Sequence, residues 1–509
     1  MSLPAPSLDD RGPWPPCPAP FNLAAHVLRR AEALSDKSAL QIVRPTGAER
    51  WSYGRLLAAV RGCGTGLLAL GLVPGDRILM RVGNTVEFPV LFLGAIAAGL
   101  VPVPTSAALT EAEITPMAAR IAPRLIVAAE GVALPDPAPC PVLPVSAITA
   151  MEDQPPCDWD MGDPDRPAYA VFTSGSTGRA QAVLHAHRAI WARGMMHRGW
   201  EGLGEADRIL HAGAFNWTYT LGTGLMDPWS LGATALIPGA GVTPAQIPLL
   251  LKRFDATVFA AAPGIFRQIL RAAMPPLPKL RHALSAGERL PDATRAAWKA
   301  ATGTEVFEAL GMSEISTFVS ASPDRPAPAG ATGYAQEGRR IAILGADGQP
   351  VPRGAEGTLA VDRRDAGLML GYLDDAGATA ARLSGDWFVT GDLAVMADDG
   401  AITYLGRADD MMNAGGFRVS PAEVEAALSP LVPECAVAEV EVAEGTRIIA
   451  CFYTAPEPVD ATALQAHADI TLARWKQPRH WQRVDALPRN ANNKLDRRAL
   501  AGLYRKDAP

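Results

Sequence analysis

Tyr169-Ala-Val-Phe172-Thr173-Ser174-Gly175-Ser176-Thr177-Gly178-Arg179 decides how this chain is read. An apolar, β-like run feeds directly into a loop of hydroxyls and glycines. Glycines let the backbone turn back and aim its N–H groups at an anion, and the Ser and Thr hydroxyls add side-chain donors. The loop is not a Walker motif, because only two residues separate Gly175 from Gly178 and no Lys-Ser/Thr pair follows. The pattern predicts a loop over 173–178 that holds phosphate.

Composition limits what such a loop serves. A chain of 509 residues is too long for one core, so two to four domains or subdomains are expected. With 48% hydrophobic and 20% charged residues the chain reads as a globular protein with ample apolar material. A net charge of −6 argues against nucleic acid as a partner, so an anionic ligand needs local cations, not a global field. Six scattered cysteines, with no C-x-x-C, read as reduced thiols, not as a disulfide framework or zinc site. Residues 1–20 are Pro-rich, carry Asp9 and Asp10 and lack an apolar signal core, which predicts a cytoplasmic protein. Phe88–Pro104 is uncharged and almost wholly apolar. It is shorter than the ~20 residues a membrane helix needs. A buried helix over Val90–Ala98 leading into a buried strand is expected, and no membrane contact.

The first four hundred residues alternate helical and strand signals. Tyr53–Leu70 has helical spacing and stops at Gly71, Asp76–Val82 and Leu125–Ala128 read as strands, and Ala189–Arg198 reads as helix. Repeated β-then-α order predicts an α/β fold of mainly parallel sheets covered by helices. A β-rich stretch follows the Pro-rich loop 323–330, then the polar junction Gly406-Arg407-Ala408-Asp409-Asp410, then a ~100-residue tail with its own αβ pattern.

Five further segments carry chemistry-bearing residues: Ser285-Ala286-Gly287-Glu288-Arg-Leu-Pro291, Leu310-Gly311-Met312-Ser313-Glu314 with its carboxylate just after a glycine turn, Trp387-Phe-Val-Thr-Gly-Asp392, which reads as a strand ending on an acidic side chain, the run from Gly406 through Gly415-Gly416-Phe-Arg418 to Glu425, and Pro488-Arg-Asn-Ala-Asn-Asn-Lys494. Taken in order with the glycine loop, this set resembles the adenylate-forming superfamily of acyl-CoA synthetases, carrier-loading adenylation domains and luciferases. The resemblance spans nearly the whole chain, from Trp51-Ser-Tyr-Gly to Lys494. Ser-Gly-Ser-Thr-Gly-Arg, Ser-Ala-Gly-Glu-x-Leu-Pro and the aliphatic residue at 310 look most like the benzoate-CoA ligase branch.

The resemblance implies a large domain over 1–406 with a β-barrel-like subdomain at about 332–406, a hinge at 407–410, and a small mobile α+β lid over 411–509. It implies AMP-forming ligation of a carboxylic acid to coenzyme A, using ATP and Mg²⁺. By the same resemblance, Thr173, Ser174, Gly175, Ser176, Thr177, Gly178 and Arg179 would hold phosphates, and Gly287, Glu288, Leu310, Gly311, Met312 and Ser313 would line the nucleotide. Glu314 would ligate Mg²⁺, a hard cation that takes oxygen ligands and shares them with phosphates. Asp392 would accept both ribose hydroxyls, with Arg407 beside ribose or phosphate. Lys494 would place a cation between the attacking carboxylate and the α-phosphate. Asp409 matches the hinge, while Gly415, Gly416 and Arg418 match the coenzyme A tunnel. Phe215, Trp217, Tyr219 and Ala286 would wall a compact pocket for a small aromatic or short aliphatic acid. His185 and His187 are expected to be structural. Homodimers are common among similar enzymes.

The chain departs from the superfamily pattern at three places. Gln181 replaces a lysine that would pair with pyrophosphate oxygens, Leu310 stands where many relatives stack tyrosine on adenine, and Asn493 precedes Lys494 in place of glycine. Two alternatives to the CoA ligase stand beside it: a stand-alone enzyme loading a carrier-protein thiol, and a degenerate nucleotide-binding protein.

Overall fold

The computed structural model describes residues 5–174, 180–408, 410–414, 417–432, 434–443, 446–489 and 495–505. The expected site residues Gly175, Ser176, Thr177, Gly178, Arg179, Asp409, Gly415, Gly416 and Lys494 lie outside the described residues.

Val-, Ile- and Ala-rich runs with no polar alternation suit strands covered on both faces. They build the middle of a nine-stranded sheet. Six neighbouring strands run parallel: Ser38–Arg44, Thr234–Pro238, Arg208–His211, Val258–Ala261, His282–Ala286 and Glu305–Met312. Antiparallel strands close both edges, Gly47–Ser52 on one side and Ser316–Ser320 with Tyr334–Ala335 on the other. A second, all-parallel sheet joins Val101–Pro104, Arg77–Arg81, Leu125–Ala128 and Val142–Pro144. Between its first strands, in chain order, lies the helix Glu87–Ala97, buried from Phe88 onward. The apolar stretch thus folds as expected, helix then strand, with Gly99 turning the chain at φ +77°. No helix among the described residues is long and apolar enough to cross a membrane.

The helix Tyr53–Ala69 starts where the Ser52 side chain accepts the Arg55 N–H at 3.2 Å. Three of its four glycines, at 62, 64 and 66, let other segments approach closely. A Cβ at Gly62 would stand 2.5 Å from the carbonyl oxygen of Glu152, and one at Gly64 would stand 2.5 Å from Cys157 Sγ.

The remaining sheets are antiparallel or mixed. Pro167–Ser174 and Ala180–Ala186 form a hairpin to which Gly371–Tyr372 adds, so the glycine loop joins two antiparallel strands. The β-rich region is a six-stranded antiparallel sheet of Arg340–Leu344, Glu356–Asp362, Leu383–Ser384, Trp387–Met396 and Ile402–Arg407, with Leu8–Asp10 from the N-terminus at its edge. In the tail, Cys435–Ala443, Thr446–Tyr453 and His480–Arg483 pair beside the helices Pro421–Leu428 and Ala461–Thr471, around a core that includes Val424, Leu428, Val437, Ile449 and Leu464. The chain is an α/β protein with a small C-terminal unit. None of its six cysteines is in a disulfide.

Two local expectations need correction. The single helix expected at Ala189–Arg198 is broken into Ala189–Ala192 and Gly194–Met196, then widens into a π turn over His197–Glu201. Arg193, at the break, turns inward, and its Nε donates to Asp227 Oδ1 at 2.7 Å. Asp392 does not end a strand: Trp387–Met396 runs through it, with Gly391 at φ +79° just before.

Replacing Gly62 with alanine should lower stability by about 1–3 kcal/mol, because the atoms it meets are backbone carbonyls that cannot rotate away. Alanine at Gly83, where nothing lies within 4 Å of the added carbon, should leave the thermal midpoint unchanged. Differential scanning calorimetry of the two variants checks this pair.

Candidate nucleotide and acid site

The carboxyl ends of parallel strands form the crevice in which α/β proteins bind ligands, and Ala286, Gly287 and residues 310–314 lie at two such ends. His282–Ala286 ends beside Glu305–Met312, with Ala286 paired to Ala309. Gly287 follows at φ +97°, a conformation that favours glycine. On the neighbouring strand the register slips between Leu310 and Gly311. A Cβ at Gly311 would lie 2.5 Å from the Ser316 carbonyl oxygen, so only glycine permits the tight reversal into Ser316–Ser320.

Glu314 lies in that reversal. It is 4% exposed, and its Oε1 accepts the Tyr372 hydroxyl proton at 2.7 Å. The backbone of the turn is held as well: Ser313 O contacts His185 Nε2 at 2.7 Å, and Glu314 O accepts the Met369 N–H at 2.8 Å. His185 stacks on Tyr169 at 4.9 Å, and burial pushes its pKa down to about 4, which keeps the ring neutral. Its role is structural.

Asp392 pairs across the antiparallel sheet with Arg407. Arg407 Nη1 stands 3.4 Å from Asp392 Oδ1 and donates to Thr390 O at 2.9 Å. Burial raises the Asp392 pKa, Arg407 opposes the rise, and the nearby Glu314 charge adds to it. That coupling brings the two carboxylates, 78 residues apart in sequence (392 − 314), into one site. A second guanidinium completes it. A Cβ at Gly391 would touch Arg382 Nη1 and Arg407 Nη2, both at 3.1 Å, and Arg382 also bonds to Tyr372. Sequence reading missed Tyr372 and Arg382. The Gly371-Tyr372 pair closing the apolar run from Leu368 was the signal available for the first, and Arg382 had none.

Thr173 and Ser174 end the hairpin strand, opposite Gln181 and Ala180. Arg418 lies in the short strand Phe417–Val419, paired with Asn413. The aromatic run divides. Trp217 meets Tyr219 edge-on at 5.1 Å, the Tyr219 hydroxyl donates to Leu284 O at 3.1 Å, and both join Ala286 in one apolar cluster. Phe215 does not join them. It is 1% exposed and packs on Phe88 at 5.2 Å in the main core. Glu288 contacts the tail, at Leu495 and Arg489.

Among the described residues no group of three or more His, Cys, Asp or Glu could hold a metal alone. Magnesium does not need one, since it is commonly held by one or two carboxylates with substrate phosphates and water. The buried, oriented Glu314 carboxylate fits that arrangement.

Comparison with known proteins agrees with this architecture. The AMP-binding enzyme family matches residues 27–373, and the AMP-binding enzyme C-terminal domain matches 423–494. The chain is 32% identical over 481 residues to a benzoate–CoA ligase of Thauera aromatica, covering 88% of this chain and 90% of the relative. It is 30% identical over 486 residues to a 4-hydroxybenzoate–CoA/benzoate–CoA ligase of Rhodopseudomonas palustris, covering 88% of each. Among solved structures, a benzoate CoA ligase from Burkholderia xenovorans LB400 superposes with a TM-score of 0.85 at 28% identity, covering 94% of this chain and all of that one. With the family matched over more than half its length, the chain belongs to the AMP-binding enzymes, as an acyl-CoA synthetase similar to benzoate–CoA ligases.

Proposed function

We propose that this protein activates a small aromatic carboxylic acid with ATP and passes the acyl group to coenzyme A. The observation that carries the reading is the convergence of Glu314, held by Tyr372, with Asp392, flanked by Arg407 and Arg382, at the carboxyl edge of the main sheet. In the first half-reaction a carboxylate oxygen of the acid attacks the α-phosphorus of ATP. The bond to the bridging oxygen breaks and pyrophosphate leaves. In the second, the thiol sulfur attacks the acyl carbonyl, AMP departs and the thiol proton is released.

Each residue has a task in that scheme. The hydroxyls and backbone N–H groups of 173–178 hold the β- and γ-phosphates, and Arg179 stands in for the charge missing at Gln181. Glu314 holds Mg²⁺, which supplies charge neutralisation on the phosphates when bound. Tyr372 keeps the Glu314 carboxylate in one orientation. Asp392 accepts the ribose hydroxyls, Arg407 and Arg382 offer cations to nucleotide oxygens, and the Leu310 side chain packs the adenine face in place of a stacked tyrosine. Trp217, Tyr219 and Ala286 wall the acid pocket. Lys494, on the tail, screens carboxylate from phosphate during attack. Gly415, Gly416 and Arg418 line the route of the thiol once the tail turns about 407–410, with Asp409 as pivot. Residues 1–406 are then the adenylating body and 411–509 its lid.

A pyrophosphate-release screen over benzoate, substituted benzoates, heteroaromatic acids and short aliphatic acids tests the whole reading. Release is expected with aromatic acids, and no release with any acid would end the proposal. Lys494→Ala should slow adenylate formation about 10²–10³-fold while leaving thioester formation from a supplied acyl-adenylate intact. Tyr372→Phe should weaken the apparent Mg²⁺ affinity about 10- to 100-fold, read from a Mg²⁺ titration of pyrophosphate release.

Asp392 predicts a pH effect with a definite sign. Only its ionised form accepts two ribose hydroxyls, and its pKa is raised. AMP affinity should therefore fall on acidification, starting at higher pH than for an ordinary aspartate. Asp392→Asn should bind AMP about 10- to 100-fold more weakly and lose that pH dependence, as measured by calorimetry.

A further inference from the structure

The turn after Ala286 carries Glu288, whose carboxylate is committed to the tail. Its Oε1 accepts the backbone N–H of Leu495 at 3.1 Å and lies 3.6 Å from Arg489 Nη1. Arg489 and Leu495 are themselves bridged as antiparallel partners, and Asp496 N–H donates to Pro488 O at 2.9 Å. They form the neck of the segment 490–494, whose last residue is Lys494. One carboxylate of the large body therefore meets both sides of the neck.

Further charges cross the same boundary. Arg489 Nη2 stands 3.7 Å from Glu434, which also lies 3.3 Å from Arg271 of the large body and accepts the Thr454 hydroxyl at 2.8 Å. Arg267 is close enough to interact with Glu288, Glu434 and Arg489 together. The large body offers Glu288, Arg267 and Arg271, and the tail offers Arg489, Glu434 and the Leu495 N–H. All of it bears on where the lysine segment begins and ends.

We infer that Glu288 is a positioning residue for acid activation: it fixes the neck of the lysine-bearing segment against the large body, and so holds the tail in the orientation in which the first half-reaction runs. The inference rests on the ligase reading under Proposed function. Glutamine at 288 keeps an acceptor for the Leu495 N–H and loses the charge toward Arg489, whereas alanine loses both.

The test uses the full chain with Glu288→Ala, Glu288→Gln and Arg489→Ala. Two readouts are compared: benzoate-dependent exchange of pyrophosphate into ATP, and thioester formation from synthetic benzoyl-adenylate and coenzyme A. Glu288→Ala should lower kcat for exchange about 10- to 100-fold, as a misplaced catalytic group does. Its KM for ATP and its thioester rate should stay within about twofold of the unsubstituted chain. Glu288→Gln should fall between, and Arg489→Ala should reproduce the split from the other side of the contact. Unaltered exchange in Glu288→Ala overturns the inference alone. So does a raised KM for ATP at unchanged kcat, which would return Glu288 to the nucleotide, and so does an equal loss in both half-reactions with a lowered thermal midpoint. Absence of exchange in the unsubstituted chain with every acid overturns the ligase reading and this inference with it.

Discussion

Reversal of chain direction at Gly311 is the constraint on which the site depends. Six parallel strands deliver their carboxyl ends to one edge, and the sixth is followed at once by an antiparallel strand. The connecting turn must then sit in the ligand crevice, and the turn carries Glu314. The reversal is tight: Ser316 takes φ +69°, a strained value for a residue with a side chain. Arg193 holds it there, since its guanidinium bonds to the Ser316 hydroxyl while its other nitrogens grip Asp227. That ion pair is buried on both sides. A pair so placed is costly to break, because removing one partner leaves an unpaired buried charge. The irregular helix at 189–201 and the reversal at Gly311 are thus one device. Arg193, at the break in that helix, is the residue that joins them.

Electrostatics at the crevice run against the charge of the chain as a whole. The net charge is −6, yet Arg382 and Arg407 close on Gly391 from both sides. The two arginines come from different segments, and a Cβ at Gly391 would press on both guanidiniums. Burial of Asp392 beside them raises its pKa instead of lowering it, because desolvation outweighs one guanidinium at 3.4 Å. A carboxylate in that state is poised to be paired by ligand hydroxyls, which return the hydrogen bonds that water supplied before burial.

Legibility in the sequence followed distance along the chain. Phe88–Pro104 could be read as a buried helix and strand because hydropathy and proline placement are local. Glu314 and Asp392 were readable as motif residues, but nothing local distinguishes a strand that stops at 392 from one that continues to Met396. Tyr372 left only the faint signal of its Gly371 pair and Arg382 none, because what they do is conferred by the fold, for Tyr372 through a strand added to a hairpin nearly 200 residues earlier. The resemblance grouped Phe215, Trp217 and Tyr219 in one pocket wall, yet only the last two share a cluster, because the first packs on Phe88 in the main core. Glu288 was assigned by its neighbours in sequence, while its partner lies 207 residues away.

The chemistry of the boundary between large body and tail bears on how two half-reactions share one site. The contacts that Glu288, Arg489, Glu434 and Arg271 make across it are ion pairs and one backbone hydrogen bond, and side chains there remain partly exposed, Arg271 at 70% and Glu434 at 27%. Exposed pairs of this kind contribute about 0–1 kcal/mol each. An apolar interface of similar extent would bury surface at roughly 25 cal/mol per Å² and would hold the tail in one place. On the proposed reading, polar contacts instead leave two arrangements of the tail close in free energy, so that a difference in ligand binding between them is enough to choose. On the proposed reading, loss of pyrophosphate is such a difference. It removes the anion that the lysine segment and the loop at 173–178 would otherwise hold between them, and the contacts of Glu288 alone are then too weak to keep the tail from turning.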